Sequence, residues 1–463
     1  MISGQLALLI SDYLIWSLTL IGGATLLLGL RNRLQRERWR MILSRPPAMA
    51  AFILLLVYLL IALLDSTHFR PLEIRQTGDP ATSSKQYGTT EISLLDLLLN
   101  RIRLTDERSY SAPLALYGYS KEQVVTTTGN RRDYPRLKYG GAHVTDPANR
   151  NRDLLTRGSR GFGIALLILL PVFLLYRLMV RASRLSENNP RIAWAAAFAT
   201  LAGLVLIGAV GYQLAGPYHL LGTDKVGQDV LYLGLKSIRT GMLIGVLTLL
   251  VMLPFALILG TAAGYFGGRI DDAVQYLYTT LSSIPGVLLI AAAVLSVNLY
   301  LDQNLTEVAS LQQRADLRLL LLTAILGLTG WIGLCRLLRA ESLKLRELDY
   351  VTAARAFGVA DVRILIRHLL PNLGHLVLIT VVIDFSGLVL AEAVLSYVGV
   401  GVDPSMISWG NMINSARLEL AREPLVWWSL ATAFALMFTL VLCANLFADA
   451  VRDALDPRLR GRQ

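Results

Sequence analysis

The feature that most constrains this chain is a series of apolar blocks with almost no polar stripe, among them residues 50–64 with their flanks and 162–180. A helix on a soluble core keeps one charged face, and these blocks keep none; about 20 such residues suffice to cross a bilayer. Composition agrees, with 17% of the 463 residues charged and 54% apolar, where a soluble domain carries roughly 25% charge. Nine hydrophobic spans are predicted, at about 5–30, 47–65, 160–180, 193–216, 239–264, 276–300, 317–338, 373–399 and 425–447. The expected fold is an all-α integral membrane protein.

The net charge of +11 does not point to nucleic acid. Lys and Arg gather between the apolar blocks, as they do in cytoplasmic loops of membrane proteins. Cys335 and Cys443 fall in or beside apolar blocks and read as small buried hydrophobes. No CxxC, HExxH or GxxxxGK[ST] motif occurs, so the chain offers no metal site and no ATP-binding loop of its own.

Orientation follows from the short loops. Arg31, Arg33, Arg36, Arg38, Arg40 and Arg45 stand against Glu37 alone, and Arg181, Arg184 and Arg191 against Glu187. Both loops are expected in the cytoplasm. Alternation adds the loop near Arg269, residues 339–372 and the tail 448–463, and places the N-terminus outside, in the periplasm of a bacterial inner membrane. The polar, Arg-rich stretch 66–159 then lies outside, which long loops tolerate. A cleaved signal peptide is the alternative for the first block; it lacks a basic start, contains Asp12 and is longer than a signal core.

Four segments follow. Residues 1–65 form a pair of spans around a basic cytoplasmic loop, and 66–159 a periplasmic insertion. Residues 160–192 add an extra span and loop, and 193–463 form the transmembrane core with a cytoplasmic loop at 339–372. In the insertion, residues 94–99 and 114–117 offer some core, and 126–160 read as mostly irregular. The insertion is either a spacer packed on neighbouring loops or a docking surface for a solute-binding protein.

The most informative stretch is 348–373, LDYVTAARAFGVADVRILIRHLLPNL. Helix formers and the small Ala353, Ala354 and Ala356 run up to Phe357. Gly358 then breaks the pattern, because glycine adopts backbone angles that other residues resist. Asp361 is expected to cap a second helix through residue 370, ahead of Pro371. The result is a protruding knob on the cytoplasmic side. An ordinary amphipathic loop remains the alternative reading of these residues.

The pattern Ala353-Ala354-x-x-x-Gly358, followed by His368-x-Leu370-Pro371-Asn372, resembles the coupling loop of binding-protein-dependent ABC importer permeases. Thr352 stands where the family usually has Glu. The resemblance extends to Leu221, Gly222, Thr223, Asp224, Gly227, Asp229 and Val230, a signature of the dipeptide and oligopeptide C-type permeases, with Gln228 where Arg is frequent. It continues through residues 263–268 with Asp271, Ala391-Glu392-Ala393-x-Leu395-Ser396-Tyr397, Ser408-Trp409-Gly410 and the C-terminal Asp449, Arg452, Asp453, Leu455, Asp456, Pro457, Arg458 and Leu459. It covers about residues 215–460. It implies a type I permease core of roughly six spans, a sister B-type permease, two ABC ATPase subunits holding ATP and Mg, and a periplasmic solute-binding protein. The coupling residues it implies are Tyr350, Thr352, Ala353, Ala354, Phe357, Gly358, His368 and Pro371, with no cofactor in this chain.

Asp384 and Glu392 fall within one predicted span, about two helical turns apart and so on roughly one face. Carboxylates at bilayer depth are costly and are buried in protein or face water. They read as packing groups, or alternatively as a proton relay. Pro254 and Pro285 interrupt two spans, as gating points or static bends. The expected function is an importer permease subunit for peptides or peptide-like solutes. The alternatives are a proton-driven transporter, for which inverted repeats are expected and none stands out, and a membrane sensor with a periplasmic ligand domain. No nucleophile–base pair suggests an enzyme, and His219 and His368 read as structural.

Overall fold

In the computed structural model the structure describes residues 4–76, 83–88, 91–126, 129–184, 192–304 and 310–455. From the N-terminus it runs through strand β1 (Gly4–Leu6) and helices α1 (Ile10–Gly29), α2 (Arg33–Leu43) and α3 (Pro46–Asp65). The 66–159 segment follows as β2 (His68–Gln76), β3 (Ser83–Tyr87), β4 (Ile92–Ser93), α4 (Leu94–Leu98), α5 (Asn100–Arg103), β5 (Glu122–Thr126) and β6 (Gly129–Asp133). Then come α6 (Arg150–Arg184), α7 (Trp194–Ala215), α8 (Val230–Phe266), α9 (Gly268–Ser282), α10 (Gly286–Asn304), α11 (Leu311–Gly330) and α12 (Ile332–Leu345). The chain ends with α13 (Asp349–Ala356), α14 (Asp361–Ile364), α15 (Leu370–Val398), α16 (Trp409–Glu419) and α17 (Trp428–Leu455).

Eight helices among the described residues are long and apolar enough to cross a membrane, and the α9–α10 pair makes a ninth if its halves count as one broken span. This matches the nine expected spans. The span expected at 276–300, with Pro285 interrupting it, is bent by 84°. Pro285, which has no amide N–H to continue the ladder, sits in the break between Ser282 and Gly286. Pro254 behaves differently: α8 runs unbroken past it, as membrane helices allow when neighbours absorb the freed carbonyl.

The chain divides into two compact units, one of residues 1–241 with 407–447 and one of 242–406 with 448–463. In the first, β2 is the centre of a small antiparallel sheet, flanked by β1, β3 and β4, so residues Gly4–Leu6 are part of the same sheet as the inserted segment. The expectation that 126–160 is mostly irregular needs correction. β5 and β6 pair as a hairpin up to Asp133, and α6 starts at Arg150. That helix begins ahead of its apolar stretch because Asp153 accepts from His143 Nε2 at 2.7 Å, Arg157 Nε at 2.8 Å and the Tyr218 hydroxyl at 2.8 Å. As expected, Leu95 and Leu116 are buried.

The inserted segment touches the loops after α7 and α16, through Glu107 N to Gly227 O and the Tyr119 hydroxyl to Leu425 O, both at 3.0 Å. Ahead of α7, Ala193 N donates to Leu43 O at 2.9 Å, and Trp39 and Phe52 pack on Phe447 of α17.

The second unit has a core of Met252, Ala256, Tyr265, Val274, Leu334, Leu338 and neighbours. Gly260 and Gly264 of α8 let α12 approach closely. A Cβ on Gly264 would lie 2.5 Å from Arg339 O, and one on Gly260 2.8 Å from Cys335 O. Small residues four apart are the usual device for close helix contact in membranes. Arg339 then pairs with both carboxylate oxygens of Asp271 on α9. Cys335 and Cys443 are free and buried, as expected.

Candidate functional site

The knob in the second unit is built from its anchors outward. Val351 on α13, Ile364 on α14, and Leu369 and Leu373 at the entry to α15 are all at 0% exposure and belong to one core with Tyr265, Val274, Tyr278 and Leu338. The outer face carries Tyr350, Thr352, Ala353, Ala356 and Phe357, all exposed, with Phe357 at 87%. Phe357 is thus held outward just past the end of a helix that Val351 anchors in the core.

The turn after α13 explains the angle between the two arms. Val359 N donates to Ala354 O at 3.1 Å and Gly358 N to Arg355 O at 2.9 Å. This is the paired bonding of a Schellman cap, which requires a left-handed residue. Gly358 supplies it at φ +77°. A Cβ there would meet nothing within 4 Å, so glycine is needed for its backbone angle alone.

Asp361 does not cap α14 as expected. Its carboxylate accepts from the Tyr265 hydroxyl at 2.6 Å, and α14 has no side-chain cap. Tyr265 also underlies Arg355, whose guanidinium lies 5.1 Å from the ring centroid. One aromatic from α8 therefore fixes both arms. Thr352 turns its hydroxyl back onto Asp349 O at 3.0 Å. His368 and Tyr350 are joined by Asn372, whose Nδ2 donates to the Tyr350 hydroxyl and to His368 O, each at 2.9 Å. Residues Leu365–Leu369 form a π-helical turn, and Pro371 follows in the first turn of α15. Proline cannot bond the carbonyl four residues back and crowds it; the wider turn relieves that contact.

The two carboxylates of α15 do not share an environment. Glu392 is buried at 1% exposure and accepts from Ser396 Oγ at 2.9 Å, while Asp384 is half-buried. Eight residues at 3.6 per turn overshoot two turns by about 80°, so the two lie toward opposite edges of one face. Ser396 also receives Val402 N at 3.4 Å, so Glu392 helps close the turn after α15.

The stretch preceding α8 is a second built element, in the first unit. Gly222 at φ +76° and Gly227 at φ +85° bracket a tight turn. Asp224 accepts from Val226 N and Gln228 N, and Asp229 from Leu231 N at 2.8 Å, starting α8. His219 bonds Asp229 at 2.9 Å through Nδ1 and Glu107 at 3.4 Å through Nε2. Glu107 takes three backbone donors as well, from Lys138, Tyr139 and Gly140, at 2.8 to 2.9 Å. Burial alone would raise the Glu107 carboxyl, but the His219 bond and these amides hold it down to about 2. Burial alone would lower His219, and the two carboxylates instead raise it to about 9. His219 is structural, as the sequence suggested, but Glu107 was not legible there, because pairing across 112 positions leaves no local signal. Ser408 caps α16 by accepting from Asn411 N at 3.0 Å, and Trp409 is buried and donates Nε1 to Gly234 O at 3.1 Å. Of the C-terminal signature, residues 456–463 lie outside the described residues.

Residues 252–461 match the family model described as "Binding-protein-dependent transport system inner membrane component". The oligopeptide transport system permease protein OppC of Mycobacterium tuberculosis is 30% identical over 248 residues, covering 54% of this chain and 79% of the relative. OppC of Haemophilus influenzae is 31% identical, covering 52% and 71%. The dipeptide transport system permease protein DppC of Bacillus subtilis is 29% identical, covering 52% and 69%. Among solved structures, a chain of the MetNI methionine ABC transporter in an inward-facing conformation aligns with a TM-score of 0.35 and 17% identity, covering 48% of this chain and 94% of that one. The chain belongs to the inner-membrane components of binding-protein-dependent transport systems, as a multi-pass permease of the ABC importers similar to OppC and DppC.

Proposed function

We propose that this chain is one of two pore-forming subunits of an ATP-driven importer of peptides or peptide-like solutes. It pairs with a sister permease, two ATPase subunits that hold ATP and Mg, and an external solute-binding protein. The observation that carries the coupling role is the knob. Phe357 is 87% exposed at the end of a helix whose only buried residue is Val351, and a Schellman turn at Gly358 joins that helix to α14, which leads through the π-helical turn into α15. Force applied at Phe357 passes through Val351 and Ile364 into the packing of α8, α9 and α12. A soluble ATPase that closes on nucleotide needs such a lever to move membrane helices. In this reading the N-terminus is outside, the knob is cytoplasmic, and no catalytic chemistry belongs to this chain. The peptide assignment rests on what the relatives are named for.

The decisive experiment is gentle purification of the tagged chain from its native membranes, with mass spectrometry of what accompanies it. Recovery of a sister permease and P-loop ATPases supports the reading. A homo-oligomer free of ATPase after cross-linking refutes it, and the proton-driven alternative through Asp384 and Glu392 then comes forward. The burial of Glu392 on Ser396 speaks for a structural role instead.

A further inference from the structure

In the first unit, a cavity of about 630 Å³ opens between the inserted segment, the turn before α8 and the end of α16. Its size falls in the range of small-molecule sites. The charged and aromatic groups on its wall are Tyr110, Glu122, Lys225, Arg417, Glu419 and Arg422. None of them belongs to the knob.

Glu419 is the informative residue. It is 2% exposed, and Tyr110 donates its hydroxyl to Oε1 at 3.2 Å. Its other oxygen, Oε2, is buried and has no hydrogen-bond partner in the protein among the described residues. Arg422 and Lys225 act on this carboxylate only through space, and the Arg422 guanidinium lies over the Tyr110 ring, 5.0 Å from the centroid. Burial pushes the Glu419 carboxyl above its ordinary range, so a cation entering beside it restores the charged form. A carboxylate left half-answered inside a polar cavity is a place for an incoming donor.

The same wall offers the opposite charge. Lys225, Arg417 and Arg422 line the cavity together with the two acids. A ligand that satisfies both sets carries an ammonium and a carboxylate. A second cavity of about 560 Å³ shares Ser109, Tyr110 and Glu122 with the first, so the trough is longer than a single amino acid needs. We propose that this trough binds a short, free-ended peptide, its ammonium on Glu419 and its carboxylate at Lys225 and Arg417. This goes beyond the importer reading and stands without it: binding is a property of this chain, whether or not the bound solute is the one transported.

The test uses the purified full-length chain in detergent, titrated calorimetrically with dialanine and trialanine and with N-acetyl-dialanine amide as the capped control. Free-ended peptides are expected to bind saturably, with the capped form at least about tenfold weaker. Glu419→Gln, which keeps the acceptor for Tyr110, is expected to weaken free peptide about tenfold and leave the capped form unchanged. Lys225→Met is expected to do the same from the carboxylate end, and it decides the matter if Glu419→Gln does not melt like the parent. Absence of saturable binding, equal binding of the capped form, or unchanged affinity in a well-folded Lys225→Met overturns the proposal. Peptide binding here with no peptide uptake by the assembled transporter would refute the substrate assignment of the importer reading alone.

Discussion

Glu107 gives the sharpest test of how the inserted segment is held. Its carboxylate accepts from Lys138 N, Tyr139 N and Gly140 N and bonds His219. Burial opposes ionisation, yet these donors bring it from 4.5 down to about 2. A displacement of that size is about 3 kcal/mol of preference for the charged, folded arrangement. The contribution is present above the ordinary carboxylate range and is lost as pH falls through about 2. His219 has the opposite sign. Raised to about 9, it contributes fully below 6.5, and the contribution is lost as pH rises through about 9. Glu107→Gln keeps the shape and one acceptor but removes the charge. At about 1.4 kcal/mol per decade, the amides of residues 138–140 should exchange with deuterium roughly 100-fold faster. Helices α11 and α12, which lie in the other unit, should keep their rates. Hydrogen-exchange mass spectrometry on the full chain reads both. Unchanged protection at 138–140 would refute the assignment of Glu107 as the hub of this segment.

Three further outcomes are expected. Gly358→Val places a β-branched residue at φ +77°, costing about 1–2 kcal/mol or more; uptake should be lost while membrane insertion is retained, and Gly358→Asn should be milder. Normal uptake by the Val variant would remove the knob from the coupling path. Gly264→Leu must displace Arg339 O and Ser342, which lie 2.5 Å from the new Cβ, so folded yield by size-exclusion chromatography should fall sharply. Deleting residues 1–192 removes Asp65 and Asp96 from Lys236 and Asp12 from Arg239, and breaking a buried ion pair from one side costs about 3–5 kcal/mol; the remaining core should not accumulate in membranes unless Lys236 and Arg239 are both replaced by Met.

What was legible in the sequence follows from which interactions are local. A bilayer demands an unbroken apolar run, so the spans are visible as run length. The Gly358 turn is visible because one backbone angle excludes every side chain but glycine at low cost. The interruption at Pro285 is legible as a proline inside a span, but its 84° angle is not, since the apolar run passes straight through the bend. Asp361 looked like a cap because Asp precedes a helix, and its real partner, Tyr265, is 96 positions away. The spacing of Asp384 and Glu392 carries no sign of their different burial, which comes from the neighbours packed around each. Glu107 and Glu419 were invisible for one shared reason: each acquires its environment from segments far apart in the chain, and neither lies in a motif.

The same reasoning shows why the N-terminal residues, which precede the 252–461 family match, are not an appendage. The first turns of α8 carry Lys236 and Arg239. Arg239 donates to Asp12 of α1 at 2.7 Å and to Ser11 at 2.7 Å, and Asp12 also meets His68 of β2 at 2.7 Å. Lys236 lies 2.6 Å from Asp96 and 3.5 Å from Asp65, which in turn takes the Ser93 hydroxyl at 2.7 Å. Asp12 is fully buried and Arg239 is 5% exposed. Neither charge is tolerable in an apolar setting alone, and each becomes tolerable only through the other. A helix that displays two cations to its neighbours can be completed only by neighbours that bring acids at those heights. Here α1, α3 and the α4 turn bring them. The apolar run of α1 alone would let it slide or rotate in lipid, and Asp12 is what fixes its register against α8.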